Sequence, residues 1–138
     1  VHAGITPIAA TGAVDQHSQV QLYMEGPDRR LVVFVGLDAY DETVDIPAHG
    51  LPEPLDHLAG HDLAEVMEAE RVGTRRALEE VGRPTAEVTL DDLGAPSVGA
   101  FVIFWESVTA VLGELMDIDA FNQPGVERGK RISHEMLL

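Results

Sequence analysis

The chain has 138 residues, 45% hydrophobic and 24% charged, a globular composition long enough for one domain with a real core. Its net charge of -15, from 24 acids against 9 bases, repels nucleic acid and anionic membranes and sets both aside as partners. It has no cysteine, hence no disulfide and no thiolate metal site, which suits a cytoplasmic protein. No signal peptide is visible, and Val1-His2-Ala3-Gly4, with no initiating Met, reads as the interior of a longer polypeptide.

In chain order, Ile5 to Ala10 is short and apolar and reads as an edge strand or strand end despite Pro7. Asp15 is a suitable N-cap for a helix from Gln16 to about Met24, which Gly26 and Pro27 stop. Leu31 to Leu37, LVVFVGL, is a continuous apolar run rich in β-branched residues, as in a parallel strand buried on both faces. Asp38 to Gly60 carries Pro47, Pro52 and Pro54 and reads as a long loop, with one turn of strand at Thr43 to Ile46.

Asp62 caps an amphipathic helix to about Val81, with Leu63, Val66, Met67, Thr74, Ala77, Leu78 and Val81 on one stripe. Gly82 and Pro84 end it. Thr85 to Leu90 alternates Ala86, Val88 and Leu90 against Thr85, Glu87 and Thr89, the pattern of a more exposed strand. Ser97 is placed to cap a long helix to Met116. Glu106 and Glu114 interrupt its apolar run, so it reads as a buried helix rather than a membrane span, with Phe101, Phe104 and Trp105 in the core. A last helix begins near Asn122 or Gln123. Strands alternating with helices give an α/β class and one layered domain, or most of one.

Several side chains can carry chemistry. His17 lies in the first turn of a helix, where the dipole opposes protonation and a carboxylate such as Asp15 favours it, a balance suited to a proton shuttle. Lys130 lies two turns beyond Gln123 on nearly the same helical face, so both can line one pocket. The amides around Pro124, with the Gln123 side chain, can meet an oxyanion or a hydroxyl, and Arg128, Lys130 and Arg131 form a local basic cluster. By themselves these residues equally fit a surface or capping histidine and a solvated lysine. Glu127 reads as structural, pairing with a base or a backbone amide. His57 and His61 have the spacing of helical metal ligands, but Gly60 lies between them and no third ligand is obvious.

Two runs narrow these alternatives. Gly113 to Lys130, GELMDIDAFNQPGVERGK, resembles the C-terminal signature of phosphoglucose isomerase, and Thr11 to Gln21, TGAVDQHSQVQ, resembles that family's histidine-bearing segment. Leu31 to Leu37 adds to the likeness, which covers nearly the whole chain. The resemblance implies an SIS-type fold, a parallel sheet flanked by helices, with residues 1–138 as an incomplete or C-terminal domain of a larger isomerase. It implies interconversion of glucose 6-phosphate and fructose 6-phosphate, in glycolysis and gluconeogenesis, by ring opening and proton transfer through an enediol. No metal or organic cofactor is implied.

By the same carry-over His17 assists ring opening, Lys130 is the active-site lysine and Gln123 contacts substrate. The family forms homodimers in which the histidine reaches into the partner's pocket. Its base is a glutamate upstream of the histidine segment, and neither that glutamate nor the phosphate pocket is recognisable here. The chain alone is therefore expected to be inactive. The competing class is a non-catalytic sugar-phosphate-binding module on the same fold.

Overall fold

The computed structural model describes residues 3–138; Val1 and His2, part of the stretch read as chain interior, lie outside the described residues. The polypeptide forms two compact units, Ile8–Val98 and Gly99–Leu138, the latter joined by the described residues up to Pro7.

The first unit contains helix α1 (Gln16–Glu25), strand β1 (Val32–Leu37), a 3-10 helix (Glu53–Leu58), helix α2 (Leu63–Glu80) and strand β2 (Thr85–Leu90). The strands pair in parallel, with Val32 opposite Thr85 and Leu37 opposite Leu90. Val32 N–H donates to the Pro84 carbonyl at 3.1 Å and Asp38 N–H to the Leu90 carbonyl at 2.8 Å, closing both ends of the ladder. Helix α2 is the crossover and packs on both strands. The fold is α/β, a parallel sheet with flanking helices, as expected.

Local signals set α2. The Asp62 side chain accepts from Glu65 N–H at 2.8 Å, and the Glu65 carboxylate accepts from Asp62 N–H at 3.2 Å, a reciprocal capping box. At the other end Gly82 takes a φ of +75°, Arg83 N–H donates to the Leu78 carbonyl and Gly82 N–H to the Glu79 carbonyl, both at 2.9 Å. This is a Schellman turn, and a side chain at Gly82 would oppose its left-handed backbone.

One charge network joins α2 to the sheet. Arg71 donates through Nε and Nη2 to the Glu68 carboxylate at 2.8 and 2.7 Å, and through Nη1 to Glu87 of β2. Its guanidinium lies over β1, where a methyl on Gly36 would stand 2.9 Å from Nε. Arg75 donates to Glu79 at 2.7 Å and faces Glu87 at 3.5 Å.

The hydrogen bond from Arg71 holds the Glu68 carboxyl below its ordinary value, against a partial opposing effect of burial. The Thr85 hydroxyl, ahead of Arg75, does the same for Glu79. Glu68, in turn, pushes the Arg71 pKa further up than usual.

Several expectations are corrected. Ile5 to Ala10 forms no strand and is exposed, since the described sheet holds only β1 and β2 and neither pairs with it. The long loop gains the 3-10 helix, and its expected strand turn is a single antiparallel bridge, Asp45 to Asp62. Strand β1 is only half-buried, and Val35 is 48% exposed. Among the described residues Leu78 is the one fully buried hydrophobic side chain, so the expected core is largely absent from this stretch alone.

The second unit holds nearly all of helix α3 (Ala95–Leu115) and helix α4 (Pro124–Glu135). Helix α3 starts before Ser97, which therefore sits inside it; the Asp92 carboxylate accepts from Gly94 N–H at 2.7 Å and turns the chain into the helix. The expected burial of α3 is not observed: Gly113 is its only buried residue. Phe104 is 48% exposed, while Phe101 and Trp105 are half-buried and pack edge-on with centroids 6.1 Å apart. By length and composition α3 could cross a membrane, with a mean hydropathy of 1.5, although Glu106 and Glu114 punctuate it.

Because Glu68 and Glu79 titrate below their ordinary value of 4.5 in the fold, their contribution to stability is complete above that value and is lost as pH falls through the lowered one. Urea unfolding of the chain should show a midpoint that declines below about pH 4.5, and the Glu68→Gln/Glu79→Gln double variant should flatten that decline. A second expectation concerns sterics: Gly36→Ala should displace the Arg71 guanidinium and destabilise the unit by about 1–3 kcal/mol in the same assay.

Candidate functional site

His17 is the second residue of α1, and its side chain is exposed. Asp15 occupies the N-cap position, but its carboxylate accepts from Thr11 N–H at 2.6 Å rather than from the helix. That bond curls Thr11 to Asp15 against the helix entrance, and Ser18 Oγ adds a bond to the Asp15 carbonyl at 3.1 Å. The segment expected to bear the histidine is thus ordered locally, with the imidazole facing outward.

Beneath the helix lies a cavity of about 250 Å³ lined by Thr11, Asp15, Gln16, Gln19 and Tyr23, by Val33 to Gly36 of β1, and by Met67, Arg71, Thr74 and Leu78 of α2. His17 does not line it. Arg71 is the cavity's guanidinium, and two carboxylates already take its donors, so the space is poorly equipped to hold an anion.

Gln123 and Lys130 belong to the second unit. Gln123 is the N-cap of α4 and Pro124 the first helical residue, where its missing N–H costs nothing. The Gln123 carbonyl accepts from Val126 N–H at 3.0 Å and Glu127 N–H at 3.3 Å. Its side chain makes no capping bond and is free to meet a ligand. Of the turn's amides, Gly125 N–H has no backbone acceptor among the described residues and remains available to an oxygen.

Lys130 Nζ donates to Glu127 Oε1 at 2.7 Å, which gives Glu127 the expected pairing with a base. Both side chains are largely exposed, at 67% and 62%, so the pair contributes little to stability and leaves the ammonium accessible. Arg128 and Arg131 are exposed on the same helix. The spaced histidines separate chemically: His57 stands in the 3-10 helix, and His61 Nδ1 lies 3.0 Å from Glu65 Oε2.

Two residues of the Gly113 to Lys130 run escaped sequence reasoning. A methyl on Gly113 would stand 2.6 Å from the Ala120 Cβ and 3.2 Å from the Ile118 carbonyl, so the glycine lets the chain fold back on α3. Ile118 N–H donates to the Gly113 carbonyl at 2.8 Å and Asp117 N–H to the Glu114 carbonyl at 3.2 Å, another Schellman turn. Asp117 occupies its left-handed position with φ +56°, where glycine is usual. The sequence carried little signal for it, because the left-handed position of such a turn usually holds Gly or Asn and here holds Asp117. The adjoining hollow, of about 310 Å³, is lined by Glu114, Asp117, Asp119 and Phe121 and is unsuited to an anion.

Comparison with known proteins adds to this geometry. Residues 59–137 match the family profile described as phosphoglucose isomerase. The chain is 41% identical over 134 residues to a probable glucose-6-phosphate isomerase of Methanococcus maripaludis, covering 97% of this chain and 30% of that protein. It is 42% identical over 139 residues to a glucose-6-phosphate isomerase of Carboxydothermus hydrogenoformans, covering 99% and 30%. It also resembles the crystal structure of a hypothetical protein from Thermus thermophilus, with TM-score 0.83 and 38% identity over 91% of this chain and 30% of that one. The chain therefore spans about 30% of the length of the relatives it matches.

The turn after α3 yields a paired expectation. Gly113→Ala should destabilise the second unit, because the Ala120 Cβ cannot rotate away. Asp117→Gly should stabilise it by about 0.5–1 kcal/mol through relief of the left-handed backbone. Thermal unfolding of the two variants should move in opposite directions from the unsubstituted chain.

Proposed function

The chain belongs to the phosphoglucose isomerase family, and from that premise we propose that it is the C-terminal portion of an enzyme interconverting glucose 6-phosphate and fructose 6-phosphate. The observation that carries the proposal is the arrangement of α4. An unengaged Gln123 side chain, a free Gly125 amide and an accessible Lys130 ammonium are offered by one short helix. These groups suit a polyhydroxylated, anionic sugar.

In this reading the His17 imidazole moves the proton that opens the sugar ring, and the Lys130 ammonium holds or protonates the ring oxygen. Gln123 and the Gly125 amide position hydroxyls. Proton transfer between C1 and C2 through the enediol needs a base, which we assign to the part of the enzyme outside this chain. Loss of such a base costs about a hundred- to ten-thousand-fold, so this stretch alone should have no turnover. The complete enzyme is read as a cytoplasmic homodimer in which His17 and Lys130 serve different sites. The uncovered apolar residues of α3 and β1 support a larger assembly, since this chain matches only 30% of a relative's length and the remainder could lie against them.

Isomerase activity on fructose 6-phosphate should be absent from this chain and present in a polypeptide of the relatives' length that contains it. In the latter, His17→Ala and Lys130→Ala should each lower kcat by about a hundredfold or more. Mixing the two inactive variants under subunit exchange should restore a measurable fraction of activity, because each mixed dimer regains one complete site. Parent activity indifferent to both substitutions would favour a sugar-phosphate-binding module instead.

A further inference from the structure

We propose that Arg83 is the positioning residue for His17, acting through the far end of α1; this rests on the isomerase role assigned to His17 above. Helix α1 has no buried residue, and its inner face borders the 250 Å³ cavity rather than a packed core. Its own side-chain hydrogen bonds are local, Ser18 to the Asp15 carbonyl and Tyr23 to Gln19. Beyond the entrance turn at Thr11 to Asp15, every hydrogen bond among the described residues that ties α1 and its C-cap to the rest of the first unit comes from Arg83. Its Nε donates to the Met24 carbonyl at 3.0 Å, and its Nη2 donates to the Met24 and Gly26 carbonyls at 2.7 and 2.8 Å. Asp28 stands 3.6 Å from Nη1.

The anchor itself is rigid. The backbone of Arg83 is fixed by the Schellman turn onto Leu78, the fully buried residue, and the next residue, Pro84, accepts from Val32 of β1. The Arg83 side chain is only 18% exposed, so its donors have little water to turn to. A cation at a helix C-terminus also meets the negative end of the dipole. A planar fork can serve two carbonyls at once, and a lysine ammonium cannot reproduce that geometry.

His17 lies seven residues before Met24, about 10 Å along the helix at 1.5 Å per residue. Without Arg83 no side-chain hydrogen bond among the described residues would tie α1 to α2 or the sheet, and the whole helix, His17 with it, could shift over the open cavity. Arg83 therefore acts on His17 by orientation, without touching substrate.

The test compares the unsubstituted polypeptide of the relatives' length with its Arg83→Ala and Arg83→Lys variants. Amide hydrogen exchange and the kinetics of fructose 6-phosphate isomerisation are both measured. In Arg83→Ala, exchange across α1 should quicken by about tenfold while β1 and β2 amides stay unchanged. The kcat should fall by about ten- to a hundredfold with KM within about twofold. Arg83→Lys should show the same pattern, and it decides the question if Arg83→Ala does not fold. Unchanged α1 exchange, or loosened α1 with unchanged kcat, would overturn the proposal. So would a loss of protection in β1 and β2 equal to that in α1, which marks a general fold defect. An unsubstituted polypeptide without isomerase activity would instead overturn the functional reading, and the exchange data would still decide whether Arg83 holds α1.

Discussion

The first unit is organised around the Arg71 guanidinium, the point where α2, β1 and β2 meet. It sits over Gly36 because β1 has no side chain there, and it reaches Glu68 on its own helix and Glu87 on the neighbouring strand. The ring of bonds spans the crossover connection, so it opposes any slip of β2 along β1. A one-residue slip would turn Glu87 to the opposite face and leave a guanidinium that is 17% exposed without its second carboxylate. With Leu78 the only fully buried hydrophobic side chain described, this polar bracket and the strand ladder carry much of the specification that a core would otherwise provide. The placement of α1 depends on the same bracket: α2 ends in the turn that sets Arg83, and Arg83 meets the end of α1.

What could be read from the sequence divides along the range of the forces involved. Helix α2 and strand β2 were legible almost to the residue because their signals are local. Asp62 and Glu65 cap within one turn, Gly82 supplies a left-handed backbone, and Ala86, Val88 and Leu90 alternate with polar neighbours. Helix α3 was legible as a helix but not in its surroundings. Its hydropathy reports what would leave water if covered, not whether a cover is present, and here Val102, Ile103 and Phe104 remain exposed. Ile5 to Ala10 failed for the related reason that a strand is a property of a pair. Gly113 opens the Gly113 to Lys130 run, yet its close approach to Ala120 depends on the chain returning after the helix, which no local pattern states.

The candidate site shows the same division. The pairing of Lys130 with Glu127 follows from a spacing of three on a helix, and Pro124 marks the start of α4. His17 differs, because physical pattern alone left it an ordinary surface histidine. The order of residues around it supplied only a resemblance, and the family profile, which matches residues 59–137, does not reach it. On the proposed function, the groups that complete the chemistry belong to the larger share of the relatives' length, beyond the 30% that this chain spans.

The acidity of the chain bears on that division of labour. A net charge of -15 should oppose an anionic sugar phosphate, but exposed charges more than about 8–10 Å apart are largely screened at physiological salt. The field at α4 is therefore set by its near neighbours. Arg128, Lys130 and Arg131 give it a positive sign, while Glu127 offsets one of the three. On the proposed function that offset has a chemical use. An ammonium held by a carboxylate at 2.7 Å is oriented, yet the pair is solvated enough to exchange that partner for another oxygen at small cost. The acidic hollow at Glu114, Asp117 and Asp119 belongs to the turn that leads into the same run, and its charge opposes an anion settling there. Within the second unit, the electrostatics thus favour the α4 face over the turn that precedes it, by local sign rather than by the charge of the whole.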